Sequence, residues 1–295
     1  NRANQLGLGN ADGVKSMIVD YHIHPNYSQD AEGTIEEYCA KAISIGIDEI
    51  CFTPHFEIDP KRQAKDDKIR LFGKIVPMRS DWIDYYFKAV QQARKKFPDL
   101  KIKAGLEIGY DPTIENELKK FCDEYPFDFI LGAIHCLNHF AITDHRDLDE
   151  FITNYSAKNP REVAKDYFTA LTLAVQTGLF NSIAHFDVYK KYLVGIIGPE
   201  LFEESERYFD PVLKLMAQSE VGIEINTAGL RQNPKEIYPA EKILLKAKAI
   251  GVKIFTIGSD AHRVDQLGYE LRTGYDLARR MGLTIYRFEK KEPIL

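Results

Sequence analysis

From Met17 onward the chain alternates short runs of β-branched and apolar residues with longer stretches whose apolar positions recur at helical spacing. The short runs predict seven strands, at Met17 to His22, Glu49 to Thr53, Lys101 to Glu107, Phe127 to Ile134, Ser182 to His185, Val221 to Asn226 and Lys253 to Gly258. Helical patterns follow at Thr34 to Ile45, Asp81 to Lys96, Thr113 to Glu124, Arg161 to Thr177, Glu200 to Ser219, Ala240 to Ile250 and Gln266 to Met281. Thr34 with Glu37 three residues later has the form of a capping box. Seven strand-then-helix units in succession predict an α/β fold with a parallel sheet.

Two polar stretches interrupt this rhythm, 58–80 after the second strand and 138–159 after the fourth, and both read as long functional loops, the first placed to act as a lid. Neither divides two self-sufficient halves. One elaborated barrel over 1–295 is therefore favoured over two domains, with its core at about 17–285.

Composition narrows the function classes. A formal charge of −5 supplies no broad basic surface for nucleic acid. The longest apolar runs, 129–134 and 192–197, fall well short of the roughly 18 residues that span a bilayer, so no membrane partner is expected. Cys39, Cys51, Cys122 and Cys136 are widely spaced, which fits a reducing compartment and a cytoplasmic location rather than a disulfide scaffold. Residues 1–16 contain no apolar signal core, and a leader removed before Asn1 stays open.

Of the eight histidines, His22, His24, His55, His135, His185 and His262 fall at or just beyond predicted strand ends. In Asp20-Tyr-His22-Ile-His24 the two imidazoles share one face of the strand, as strand alternation requires. Asp260 and His262 repeat the spacing after the last strand, and Glu107 ends the third. Parallel barrel strands bring all these ends to one rim. Each alone has a plain structural reading: a satisfied polar group for His55 or His185, a barrel ion pair for Glu107, a helix cap for Asp260. Together they would be costly to bury without a cation, and zinc, manganese and iron accept such a nitrogen and oxygen set.

His22-Ile-His24, Thr53-Pro-His55, His135 with the later His185, and Ser259-Asp260-Ala-His262 resemble, in order, the signature of the PHP (polymerase and histidinol phosphatase) superfamily, in its histidinol-phosphatase-like branch. The likeness extends from Asp20 to His262. It implies a distorted (β/α)7 barrel of the PHP type holding two to three divalent metal ions (Zn, Mn or Fe). By resemblance His22, His24, Glu107 and Asp260 hold the first ion. Glu107 bridges to a second on His135 and His185, and a third rests on His55, His262 and Asp30, with Glu32 the less favoured substitute. The implied reaction is phosphomonoester hydrolysis through a metal-bridging hydroxide, most specifically of L-histidinol phosphate in histidine biosynthesis. Glu107, Asp260 and His262 would be its catalytic residues, the last two placed to pass a proton to the leaving alkoxide within the limits that ligation sets.

Phosphate recognition outside the metals favours arginine, and Arg231 in Asn226-Thr-Ala-Gly-Leu-Arg231 is the leading candidate, against a plain surface pairing with Glu236. Arg263 and His139 are further expected substrate contacts, each also readable as an ordinary loop residue; Lys61 and Arg62 are weaker. A small-molecule phosphomonoester is the expected partner, and the oligomeric state is open. Another PHP phosphoesterase activity, on nucleotide or phosphotyrosine, and a noncatalytic metal-binding module are the alternatives. No missing ligand position favours the last.

Overall fold

The computed structural model describes residues 17–154 and 159–295; the residues of the leader expectation and 155–158 of the second interruption lie outside the described residues. Seven parallel strands, β1 Val19–Ile23, β2 Glu49–Phe52, β3 Lys101–Gly109, β4 Phe129–Ala133, β5 Ser182–Ile183, β6 Gly222–Asn226 and β7 Phe255–Gly258, pair in chain order. Past Pro54 a two-residue segment, His55–Phe56, resumes pairing beside Glu107 and Ile108. The sheet closes just beyond its edge strands, where His24 N donates to the Ala261 carbonyl at 2.8 Å and Ala261 N to the His22 carbonyl at 3.2 Å. This is the distorted (β/α)7 barrel expected. The buried apolar residues from Ile18 to Phe288 form one cluster, and no described helix is long and apolar enough to cross a membrane.

The strand-end loops explain most of the differences from expectation. β4 and β5 stop before His135 and His185 because the chain leaves the ladder there, His185 with a φ of 29°. The final helix begins at Leu271 rather than Gln266, since Gly268 and Glu270 take positive φ and break the helical path. The helix Ile35–Ile45 starts at the Thr34–Glu37 capping box, with both reciprocal bonds formed.

The interruption 58–80 is not an irregular loop: Lys68–Leu71 and Lys74–Pro77 make an antiparallel hairpin. From it Arg70 donates to the carbonyls of Asn26, Gln29 and Ala31, which pins the segment carrying Asp30. The second interruption contains a small hairpin, Cys136–Leu137 with Phe140–Ala141, and a helix Leu148–Asn154. The core also runs past 285, because the hairpin Arg287–Glu289 with Glu292–Ile294 packs its buried Phe288 on Phe129, ring centroids 4.9 Å apart, and closes the N-terminal mouth.

Candidate metal centre

At the C-terminal rim the strand ends deliver their polar residues to one point. Glu107, on β3, is 1% exposed, and imidazole nitrogens of five histidines surround its carboxylate. His22 lies 3.3 Å away, His24 3.4 Å, His55 3.0 Å, His135 3.3 Å and His185 3.0 Å. Asp260 Oδ1 approaches His22, His24 and His262 at 3.5, 3.3 and 3.4 Å. Asp30 Oδ2 reaches His55 at 3.5 Å and His262 at 3.4 Å, and the Nε2 atoms of those two histidines are 3.3 Å apart. All nine residues that the resemblance singled out are thus brought together; Glu32 is not among these contacts.

Two observations test whether this set suits cations. Metal–nitrogen bonds of about 2.0–2.1 Å in tetrahedral geometry separate neighbouring donors by about 3.3 Å, so the spacings match a shared ion better than good hydrogen bonds. Buried His22 Nε2, both nitrogens of His24, His55 Nδ1 and Glu107 Oε2 also lack a hydrogen-bond partner. Orphaned buried polar atoms at this density are costly unless something coordinates them. Three compact donor trios lie within the nine: His24, His55 and His262; His22, His24 and Asp260; His22, Glu107 and His185. The mixture fits divalent ions of the zinc, manganese and iron group.

The charges are poised accordingly. Burial pushes Glu107 up, but His22, His135 and His55 together hold its carboxyl well below the usual range. Asp260 and Asp30 are held down in the same way, against burial, by the imidazoles around them. Burial would lower His135, yet Glu107 and Glu57 raise it to about 10. Burial, aided by the neighbouring His262 and His55, instead drives His24 well below its usual value. The carboxylates therefore stay ionised, and an entering cation displaces protons from imidazoles.

A second layer, which the sequence reading missed, orients these donors. Glu224 Oε1 lies 2.6 Å from His22 Nδ1, and its Oε2 accepts from the His185 backbone N–H at 2.9 Å. Glu57 Oε1 lies 2.6 Å from His135 Nδ1. Each carboxylate holds the far nitrogen as a donor and turns Nε2 toward the centre. Both sit in space left by a glycine: a Cβ on Gly109 would collide with Glu57, and one on Gly258 with His22 and Glu224. The signals were present, since Glu224 is a carboxylate inside an apolar strand and Glu57 follows His55 on the same face.

The loop after β7 is fixed from two sides. Asp20 accepts from the Ser259 N–H and hydroxyl and from the Gly268 N–H, at 2.9, 2.5 and 3.1 Å. Arg231 donates to the carbonyls of Ser259 and Asp260 at 2.7 and 2.6 Å, with its guanidinium 5.4 Å from the Tyr269 ring. These bonds hold Asp260 at a φ of 53°.

In this structure the Arg231 fork donates to the backbone behind the site, and Glu236 pairs with Lys190 rather than with Arg231. His139 also turns away from the cavity. It and Asn138 have φ of 68° and 48° at the tip of a two-residue hairpin, a geometry that directs the ring to Asp59, 2.6 Å away, and Asp111 at 3.5 Å. Arg263 points to solvent and pairs with Asp265 at 3.1 Å. Arg62 is buried against Asp66 and Asp147, and Lys61 borders the surface hollow beside His139. A cavity of about 450 Å³ opens over the centre, and Lys191, Arg146, Thr143 and Gln232 belong to its wall.

Comparison with known proteins agrees with this architecture. The chain is 29% identical to histidinol-phosphatase of Lactococcus lactis over 83% of its own length and 84% of the relative's. It is 29% identical to a probable histidinol-phosphatase of Clostridium acetobutylicum, covering 93% and 98%. A crystal structure of Lactococcus lactis histidinol phosphate phosphatase with zinc, L-histidinol and phosphate superposes with a TM-score of 0.76 at 26% identity, covering 94% of this chain and 99% of that one. Residues 20–228 match the PHP domain, and the chain belongs to that family.

Proposed function

We propose that this protein is a metal-dependent phosphomonoesterase that hydrolyses L-histidinol phosphate, with two to three divalent ions held by His22, His24, Asp30, His55, Glu107, His135, His185, Asp260 and His262. The observation that carries it is the Glu107 carboxylate ringed by five imidazole nitrogens within 3.4 Å, beneath an open cavity. The relatives' names and the L-histidinol and phosphate bound to the Lactococcus lactis enzyme support the substrate.

Bound divalent ions supply a water made acidic enough to attack at neutral pH and neutralise the phosphate oxygens. The protein's part is positioning. Glu107 presents Oε1 to His22, His135 and His185 and Oε2 to His24 and His55, so its two oxygens could serve ions on two sides of the cluster. Glu224 and Glu57 keep the Nδ1 protons of His22 and His135, so their Nε2 lone pairs face inward. Asn226 Nδ2 donates to Asp260 Oδ2 at 3.3 Å, leaving Oδ1 for the centre. The proposed ligands thereby share one wall of the cavity, where a phosphate monoester can enter and its alcohol can leave to solvent.

The test is a panel of histidinol phosphate, phosphotyrosine and nucleoside monophosphates, assayed in parallel with Mn²⁺ and with Zn²⁺ and compared by kcat/KM. Histidinol phosphate should lead the panel and chelation should abolish turnover. A higher kcat/KM for phosphotyrosine or a nucleotide would replace the substrate, and full activity in metal-free protein would overturn the mechanism.

A further inference from the structure

Three of the loops that carry proposed ligands hold a further set of donors outside the nine. Asp59, Asp111 and His139 lie four residues beyond His55, Glu107 and His135 respectively. Their side chains meet: His139 Nδ1 is 2.6 Å from Asp59 Oδ2 and 3.5 Å from Asp111 Oδ2, and the three donor atoms fall within 4.8 Å of one another. The two aspartates are fixed by their own loops. Asp59 Oδ1 accepts from the Lys61 N–H at 2.9 Å and Asp111 Oδ1 from the Thr113 N–H at 2.8 Å, which leaves each Oδ2 for the imidazole. His139 is held through its backbone, where Arg62 donates to its carbonyl at 3.0 Å.

This group carries more negative charge than it can balance. The buried Asp67, Asp128, Asp147 and Asp187 each pair with an arginine or a lysine, namely Arg79, Arg94, Arg62 and Lys190. Among the described residues no lysine or arginine forms an ion pair with the buried Asp59 or with Asp111; each meets only His139. The single Nδ1 proton can serve one carboxylate. Asp59 takes it, and Asp111 at 3.5 Å is beyond good hydrogen-bond length. Even a charged imidazolium would offset only one of the two carboxylates. A divalent cation offsets both. Bonds of about 2.0–2.2 Å to two carboxylate oxygens and an imidazole nitrogen in tetrahedral geometry set neighbouring donors about 3.3 Å apart, between the two spacings observed. Beside the group is a cavity of about 10 Å³ with Asp59, Asp111, Glu57 and His135 in its wall, enough for one water to complete a coordination shell.

We propose that Asp59, Asp111 and His139 form a separate divalent-cation site, of the kind that takes zinc, outside the nine-residue cluster. The ion is ligated by His139 Nδ1, whose proton gives way to it, and clasps the loops that follow His55, Glu107 and His135. Its role is to hold the rim rather than to take part in the reaction, and the assignment needs no assumption about the substrate.

The test uses the full-length protein with His139→Asn and Asp111→Asn. Asparagine tolerates the positive φ of residue 139, and at 111 it keeps the oxygen that accepts from Thr113, so both loops retain their shape. Each protein is loaded with Zn²⁺ at micromolar free concentration, freed of excess by gel filtration, analysed for metal content and melting temperature, and crystallised for anomalous scattering at the zinc edge. The parent should show a peak bonded to Asp59, Asp111 and His139 in addition to those around Glu107. Each variant should lack that peak alone and contain one equivalent less zinc. Zinc should raise the melting temperature of the parent by about 5 °C more than that of either variant. A parent with zinc around Glu107 and none at the three residues, a peak that needs millimolar zinc, or variants that match the parent in zinc content and in stabilisation by zinc each overturn the assignment. Because the readouts are metal position, content and stability, failure of the parent to hydrolyse histidinol phosphate would overturn the substrate and leave this result decisive on its own.

Discussion

At the N-terminal mouth of the barrel, Glu49 accepts from the Tyr21 hydroxyl and pairs with Arg287 at 3.1 Å, while Tyr21 also receives the Phe288 N–H at 2.9 Å. Nearby, Asp128 accepts from Arg94 and from the Ala104 N–H, both at 2.9 Å, and its carbonyl accepts from Lys291 N–H at the same distance. Every one of these buried charges is closed by the chain itself, mostly through the C-terminal hairpin. The opposite mouth is at least as polar, yet six side-chain atoms of His22, His24, His55, His185 and Glu107 have no partner there. Two of its residues, His185 and Asp260, are also held at positive φ. Burying charge is unfavourable on both sides. The floor offsets that cost internally and acts as structure, whereas the rim leaves it for an incoming cation to offset, and a site of that kind is strained and incomplete without its ions.

The sharpest break between the two mouths should come from Glu107→Gln. Losing the charge shared by both sides of the cluster should lower kcat/KM on the order of a thousandfold and remove more than one equivalent of metal by elemental analysis. Asp30→Asn, at the half-exposed edge, should remove at most one and cost less. Equal losses in the two variants would argue against the central position of Glu107. On the floor the effect should appear in stability instead. Arg287→Ala leaves Glu49 buried without its cation, and should cost about 3 kcal/mol in urea unfolding while metal content and kcat/KM per folded molecule stay at the parent level. A floor variant that folds stably but loses metal would dissolve the distinction.

The rim was legible in the sequence because a metal centre restricts residue type and the barrel restricts place: imidazoles at parallel strand ends have one rim to occupy. Asp30 lies farthest beyond its strand end, in a segment held by Arg70 of a hairpin that the sequence hid. That hairpin turns at Phe72-Gly73 with φ of 49° and 76°, where Asn-Gly or Asp-Gly would have been the recognisable signal. The floor was not legible. Arg287 and Phe288 lie in a short charged terminus whose importance depends on contacts with Tyr21, more than 260 residues earlier, as the Phe288–Tyr21 separation of 267 shows. Substrate contacts were less legible for a different reason: an arginine such as Arg231 can face either the cavity or the backbone, and spacing does not distinguish the two.

Smaller effects should probe the layer between rim and floor. Glu224→Gln keeps the shape but weakens the hold on His22 Nδ1 and the His185 N–H, and should reduce metal affinity about tenfold to a hundredfold, measured by competition with a chelator. Unchanged affinity would make Glu224 a structural acid like Glu49. In the parent, metal affinity should rise with pH across the neutral range, by up to about tenfold per unit for each proton released, since His135, raised to about 10, must shed its proton to bind. A flat profile would show that imidazolium does not compete.

Arg231 supplies the finest test, because it stands at the rim and is satisfied in the manner of the floor. Its two terminal nitrogens hold the carbonyls of Ser259 and Asp260 and so fix the turn that presents Asp260 and His262. Arg231→Ala should therefore loosen that turn, lowering metal affinity about tenfold. Metal-saturated enzyme should still bind inorganic phosphate with the affinity of the parent, since the guanidinium is turned to the backbone. Arg231→Lys should recover little, because one ammonium cannot reproduce a planar fork spanning two consecutive carbonyls. The opposite pattern, parent-like metal affinity with weakened phosphate binding, would put Arg231 in contact with substrate and restore the role its position in the sequence suggests.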